Sequence, residues 1–261
     1  MTGTEFPAAK QRAVFPSLRG KRVLITGGGS GIGAGLVEGF VCQGCEVTFF
    51  DIADSDSEAL AVRLEGWGPL PVYRHCDLTD LASLKREIAA QIASRGAFDI
   101  LINNAANDDR HMIEQVAEEY WDDRLNVNLR HLFFAAQAVA PGMKEKGSGV
   151  IVNLGSISWH LALEGLTLYQ TCKAAIEGLT RSFARDLGPH GIRSVCIVPG
   201  NVKTPRQEKW YTPEGEAEIV AAQCLKGRLL PEDIAALALF LASDDARLIT
   251  GHSFFADAGW R

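Results

Sequence analysis

The chain has no apolar run long enough to cross a bilayer. Its longest strongly apolar stretch near the C-terminus, IAALALFLA at 234–242, falls well short of the about 20 residues a spanning helix needs. The N-terminal MTGTEFPAAKQR has no apolar core of the kind a secretory signal requires. Positive charge is not in surplus either: 26 basic residues against 32 acidic ones leave a net charge of -6, without a block of like charge. That balance argues against a nucleic-acid partner. Six cysteines (Cys42, Cys45, Cys76, Cys172, Cys196, Cys224) are scattered through 261 residues, unlike the dense framework of a small secreted domain. Cys42 and Cys45 form a C-x-x-C in VCQGCEV, but no second pair and no histidine pair completes a zinc tetrahedron. A packing corner between helix and strand is the expectation there, and no metal. There is no internal repeat and no low-complexity tract, and 47% apolar with 22% charged residues is an ordinary globular composition. A folded cytoplasmic chain without membrane or nucleic-acid partners is expected.

What is present is alternation. Apolar runs of strand length recur at 22–26, 46–50, 99–103, 149–154 and 193–198, with weaker ones at 72–76 and 253–256. Helical periodicity lies between them over 33–43, 81–93, 118–139, 169–187 and 231–243. Short, continuous apolar strands alternating with helices predict an α/β fold, a parallel sheet buried on both faces. One domain over 19–261 is expected, after a mobile arm at 1–18. An irregular stretch at 201–216 follows a strand and is expected to open a substrate loop running to about residue 227.

The first strand runs into a glycine loop, RVLITGGGSGIGAGL, and then a helix. Glycines allow positive φ and close backbone approach, and a helix N-terminus offers N–H groups and a positive dipole end to a pyrophosphate. No Gly-Lys-Ser/Thr follows, so this is not a P-loop. Asp51, eighteen residues after Gly33, ends the second strand. A carboxylate there can accept hydrogen bonds from ribose hydroxyls and would repel a 2′-phosphate, which favours NAD over NADP; a turn-capping aspartate is the alternative.

On the segment from Tyr169, residues Cys172, Ile176, Leu179, Phe183 and Leu187 draw one apolar stripe, with Lys173 beside it. Side chains four apart are neighbours, so this ammonium can sit against the phenol, although a snorkelling stem is also possible. A phenol is a poor base at neutral pH, and lowering its pKa by about two to three pH units takes roughly 3 to 4 kcal/mol. A cation about 4 Å away supplies on the order of 4 kcal/mol at an effective dielectric of about 20, before desolvation.

Taken together, TGGGSGIG at 26–33, CDL at 76–78, NNAA at 103–106, VN at 127–128, Ser156, Tyr169-x-x-x-Lys173 and PGNVKTP at 199–205 resemble the short-chain dehydrogenase/reductase family from about residue 18 onward. Within it, NNAANDDRH, LNVNLRH, GSISWH and the ending DAGWR look most like the bacterial NAD-dependent D-xylose 1-dehydrogenases. The resemblance implies a Rossmann-like, doubly wound, seven-stranded, mainly parallel sheet. It implies Tyr169 as general base, Ser156 holding the reacting oxygen, Lys173 on the tyrosine and the nicotinamide ribose, and Asn128 holding a water. For NAD it implies Gly27, Ser30, Gly31, Ile32 and Gly33 at the loop, then Asp51, Asp77 and Leu78 toward the adenosine. Asn104 and Ala105 would support the cofactor at mid-sheet, beside Tyr169 and Lys173, and Pro199, Gly200, Val202 and Thr204 would hold the carboxamide. Ala106 replaces a usual glycine and Cys172 a frequent serine, which touches the finer cofactor contacts.

The polar and aromatic residues of the neighbouring segments suit a sugar: Asn107, Asp108, Trp159, His160 and Glu164, then Asn201, Trp210 and Tyr211. The expected reaction oxidises a cyclic aldose at C1 to its lactone. D-xylose is the first expectation; L-arabinose, D-galactose or D-glucose is the alternative, and a dinucleotide sensor without turnover is the competing class. The resemblance also implies a homotetramer built on 118–139 and 169–187.

Overall fold

The computed structural model describes residues 13–208 and 211–261. Its seven strands are β1 (Arg22–Thr26), β2 (Glu46–Asp51), β3 (Val72–His75), β4 (Ile100–Asn103), β5 (Gly149–Leu154), β6 (Ile192–Pro199) and β7 (Ser253–Ala256). They form one sheet in the order β3-β2-β1-β4-β5-β6-β7, and every neighbouring pair is parallel. The strand order reverses between β1 and β4, which leaves a crevice at their C-terminal ends.

Helices cover both faces. In chain order they are α1 (Gly31–Cys42), α2 (Asp54–Arg63), α3 (Leu81–Arg95), α4 (Glu118–Leu125), α5 (His131–Lys146), α6 (Thr167–Leu187), α7 (Pro205–Glu208), α8 (Pro213–Ala222) and α9 (Pro231–Ala242). Successive strand residues point to opposite faces, so β1 serves two cores at once. Val23 and Ile25 pack with Leu36, Phe40 and Leu239 of α1 and α9. Leu24 packs on the other side with Leu84, Ile88 and Ala135 of α3 and α5.

Three features depart from the sequence reading. The helix expected over 118–139 is broken: α4 passes into a π-helical turn, Asn126–Arg130, before α5 begins. Wide turns of this kind re-aim side chains, and this one points Asn128 inward. Part of the 201–216 stretch is helical as α7 and α8, with Val202 bridged to Leu229. Of the expected arm, residues 1–12 lie outside the described residues, whereas Phe15 donates its N–H to Gln43 Oε1 at 2.9 Å and Leu18 is buried. At the C-x-x-C, Cys45 Sγ bonds the Leu18 carbonyl at 3.1 Å, a contact of the packing corner.

Phe40 is fully buried between α1 and the sheet. Phe40→Ala should cost about 3–5 kcal/mol through the cavity it leaves, read as a lower urea midpoint at unchanged slope.

Candidate active site

The crevice at the strand reversal opens into a cleft of about 500 Å³. Its first wall is the β1–α1 loop. Gly27 has φ +65°, and a Cβ on Gly33 would stand 1.8 Å from the Gly27 carbonyl oxygen, so the loop closes only without that side chain. Asn104 Nδ2 donates to the Thr26 and Gly27 carbonyls at 3.0 and 2.8 Å, while Thr26 Oγ1 accepts the Asn104 and Ala105 N–H groups. These bonds tie β4 to β1 and hold the mouth of the crevice. Ser30, the residue capping α1, makes no capping bond with its own side chain and lines the cleft beside Gly31, Ile32 and Gly33.

At the far end Asp51 Oδ2 accepts the Gly29 N–H at 2.8 Å, and Oδ1 accepts those of Ile52 and Ala53. Asp77 and Leu78 line the cleft next to it. Pro199, Gly200, Val202 and Thr204, at and beyond the end of β6, line the opposite side.

The floor is built by β5 and α6. A side-chain relay reaches α6 from the sheet: Asn103 Nδ2 donates to Asn153 Oδ1 at 2.9 Å between β4 and β5, and Asn153 Nδ2 donates to Thr180 Oγ1 on α6 at 3.0 Å. This anchors the second half of α6, and Tyr169 and Lys173 lie one turn apart in its first half. Lys173 is 3% exposed; its Nζ sits 5.4 Å from the Tyr169 ring centre and donates to the Leu154 carbonyl at 2.8 Å. Burial pushes the ammonium pKa down to about 8, against the smaller pull of Cys196, Cys172 and Asp108. Burial also pushes the Tyr169 phenol up, and Asp108 adds to this, while the Ser156 hydroxyl and Arg206 work the other way. Any lowering supplied by Lys173 therefore has burial to overcome. Ser156 Oγ donates to Ser158 Oγ at 2.9 Å and accepts the Ser158 N–H at 3.1 Å, so its rotamer is set by a residue the sequence did not mark.

Asn128 is buried, and its amide holds the loop after β4: it accepts the Asn107 N–H at 2.8 Å and donates to the Asn107 and Arg124 carbonyls at 3.0 Å. Three residues on, His131 is fully buried near Lys173, and burial pushes its imidazole down to about 3. Nothing in the apolar periodicity distinguished it.

The expected sugar contacts divide. Asn107, Asp108 and Asn201 line the cleft with Ser156 and Tyr169. Trp159 and His160 do not; their Nε1 and Nε2 bond Glu177 Oε1 at 2.9 and 2.8 Å, and His160 Nδ1 meets Arg261 at 2.7 Å. Glu164 is exposed, and Tyr211 turns its hydroxyl to Asn201 and Gln207. Trp210 lies outside the described residues. Arg110, Leu163, Arg206 and Gln207 line the cleft without having been singled out by the sequence. Among the described residues no cluster of three or more His, Cys, Asp or Glu side chains is arranged to hold a metal.

A cleft at the strand reversal, with a helix N-terminus on one wall and a carboxylate ending β2, is the arrangement in which Rossmann-type folds take a dinucleotide. A family model described as Enoyl-(Acyl carrier protein) reductase matches residues 27–261. A solved structure of a short chain dehydrogenase/reductase family protein superposes with a TM-score of 0.82 at 31% identity, covering 93% of this chain and 98% of that one. The chain belongs to the short-chain dehydrogenase/reductase family, whose chemistry uses a nicotinamide dinucleotide. It is 64% identical over 249 residues to a D-xylose 1-dehydrogenase of Caulobacter vibrioides, covering 95% of this chain and 99% of the relative. It is 45% identical to the "Probable galactose dehydrogenase GalD" of Rhizobium meliloti, over 94% of this chain and 96% of the relative.

The buried ammonium leaves a stability signature. Lys173 has its folded pKa lowered from 10.5 to about 8, so between those values the unfolded chain binds the extra proton and stability gains as pH rises. Relative to Lys173→Met, the wild type should gain up to about 3 kcal/mol between pH 8 and 10.5, with a flat difference below that window. Urea unfolding of both chains without cofactor across pH 7–10.5 reads this.

Proposed function

We propose that the chain oxidises an aldopyranose at C1 with NAD, D-xylose to D-xylonolactone first among the candidates. The observation that carries this is Tyr169 with Lys173 and Ser156 on the floor of a dinucleotide cleft whose lining also carries Asn107, Asp108 and Asn201, polar side chains of the kind sugar hydroxyls need. The relative named D-xylose 1-dehydrogenase supports the choice of sugar. The galactose dehydrogenase relative favours the second reading, a different aldose such as D-galactose, L-arabinose or D-glucose.

The residues present fit NAD. A Cβ is excluded at Gly33, and the end of the cleft lined by Asp51 and Asp77 pairs two carboxylates with Ile52 and Leu78, a poor seat for a 2′-phosphate. When bound, NAD supplies the ring carbon that accepts a hydride from C1. Tyr169, as phenolate, takes the C1 hydroxyl proton while the C1–O bond becomes the lactone carbonyl, so the sugar loses one proton to Tyr169 and two electrons with the hydride. Ser156, aligned by Ser158, hydrogen-bonds the reacting oxygen. Lys173 supports the phenolate and the nicotinamide ribose. Asn128 Oδ1 accepts one bond from Asn107 and has a second lone pair for a water that passes the proton outward.

A second copy of the chain is part of this reading. An apolar groove on α5 and α6, with Phe133 43% exposed beside Ala136, Ala140 and Phe183, supports pairing into the homotetramer. Among the described residues no helix is long and apolar enough to cross a membrane, and a cytoplasmic NAD pool suits the reaction.

A panel of pentoses and hexoses with NAD and NADP tests the substrate: D-xylose with NAD should give the highest kcat/KM, and a higher value for a hexose would move the assignment to the second reading. Tyr169→Phe should cut turnover by about 1,000-fold or more with NADH binding kept. Asp51→Ala should shift the NAD-to-NADP preference toward NADP by about tenfold, about 1.4 kcal/mol; an unchanged ratio would remove Asp51 from cofactor selection.

A further inference from the structure

In the cleft that holds Tyr169, Asp108 is paired with an arginine to which the proposed chemistry gives no task. One terminal nitrogen of Arg206, on α7, lies 2.9 Å from Asp108 Oδ1, 3.0 Å from Asp109 Oδ1 and 3.2 Å from Asn107 Oδ1. The next residue, Gln207, donates from Nε2 to Asp108 Oδ2 at 3.0 Å. Both oxygens of Asp108 are thus engaged from α7, while Asp109 also meets Arg124 at 3.2 Å. Arg206 and Asp108 are respectively 50% and 33% exposed, so their pair adds little to folding stability. The half-buried phenol of Tyr169 lies in the same cleft.

Among the described residues, the charged and polar groups that act on Tyr169 are few. Cys172 and Lys173 come from its own helix, Ser156 from the segment after β5, Asp108 from the loop after β4 and Arg206 from α7. Lys173 in turn is faced by Cys172, Cys196, Asp108 and His131. Asp108 and Arg206 act on the phenol with opposite sign, the first favouring its protonated form and the second its phenolate.

We propose that Arg206 is a positioning residue for proton abstraction: paired to Asp108 across the cleft, it offsets that carboxylate's field at Tyr169 while fixing the polar wall that faces the sugar. The inference rests on the function proposed above, with Tyr169 as base. Through one terminal nitrogen Arg206 reaches Asp108, Asp109 and Asn107 together, and lysine keeps the charge on a side chain of different reach and shape.

The test is the pH profile of kcat/KM for D-xylose at saturating NAD in the wild type, Arg206→Gln, Arg206→Lys, Asp108→Asn and the double variant Asp108→Asn/Arg206→Gln. In Arg206→Gln the acid limb should move up by about half to one pH unit, and in Asp108→Asn down by a similar amount. The double variant should return toward the wild type, because the charge that needs offsetting is gone. Arg206→Lys should keep the limb in place and raise KM. A weaker hold on the sugar in Asp108→Asn raises KM and leaves the limb readable. An Arg206→Gln chain with raised KM and an unmoved limb would overturn the proposal and leave Arg206 a latch. So would a double variant displaced as far as Arg206→Gln alone. If Tyr169→Phe is inactive and the limbs coincide, this inference alone fails. If the wild type reduces NAD with no aldose, the proposed function fails and the role of Arg206 falls with it.

Discussion

An ammonium group buried in a protein core is costly, and Lys173 keeps its charge in the ordinary pH range with one hydrogen bond to a protein group, the Leu154 carbonyl. Much of the surrounding architecture is what makes that placement possible. The Asn103–Asn153–Thr180 chain of side-chain bonds fixes the rotation of α6, so that Lys173 and Tyr169 cannot turn outward to solvent. The same helix buries Cys172, Ile176 and Phe183 against the sheet, supplying the apolar contacts that hold a charged residue in place. Stability is given up locally for function, as at many active sites.

The sheet determines where that pair can act. Because the chain leaves β1 and β4 toward opposite faces of the sheet, the glycine loop, the end of β4 and the floor from β5 and α6 all face one cleft. Thr26 and Asn104 tie the ends of the two strands together at the mouth. The π-helical turn at Asn126–Arg130 then directs Asn128 onto the backbone of Asn107, which anchors the wall carrying Asp108. A regular helix through 118–139 would give these side chains a different phase. The irregularity is thus tied to the site rather than incidental to the fold.

Most of the fold was legible because strands and helices of a parallel sheet write their periods directly into the sequence. RVLIT and GVIVNL are buried along their whole length, as continuous apolar runs predict. That the glycine loop, Asp51, Ser156, Tyr169 and Lys173 line one cleft follows from elements the sequence shows: a strand end, the segment after it or the first two turns of a helix. What escaped was set by tertiary contact. Trp159 and His160 have the composition of a sugar platform, yet Glu177, eighteen and seventeen residues away, draws them off the cleft. Arg206 and Gln207 read as loop polarity until α7 brings them to Asp108. Helix α2 was missed because its exposed, acidic DSDSEALAVR shows only a narrow apolar face around Leu60.

The central claim is direct transfer of the C1 hydrogen of an aldopyranose, with Tyr169 taking the hydroxyl proton. Its most direct test is the rate with D-xylose deuterated at C1, together with mass analysis of the reduced dinucleotide. The account predicts a primary isotope effect on single-turnover hydride transfer and one deuterium carried into NADH. NADH formed without deuterium would contradict it.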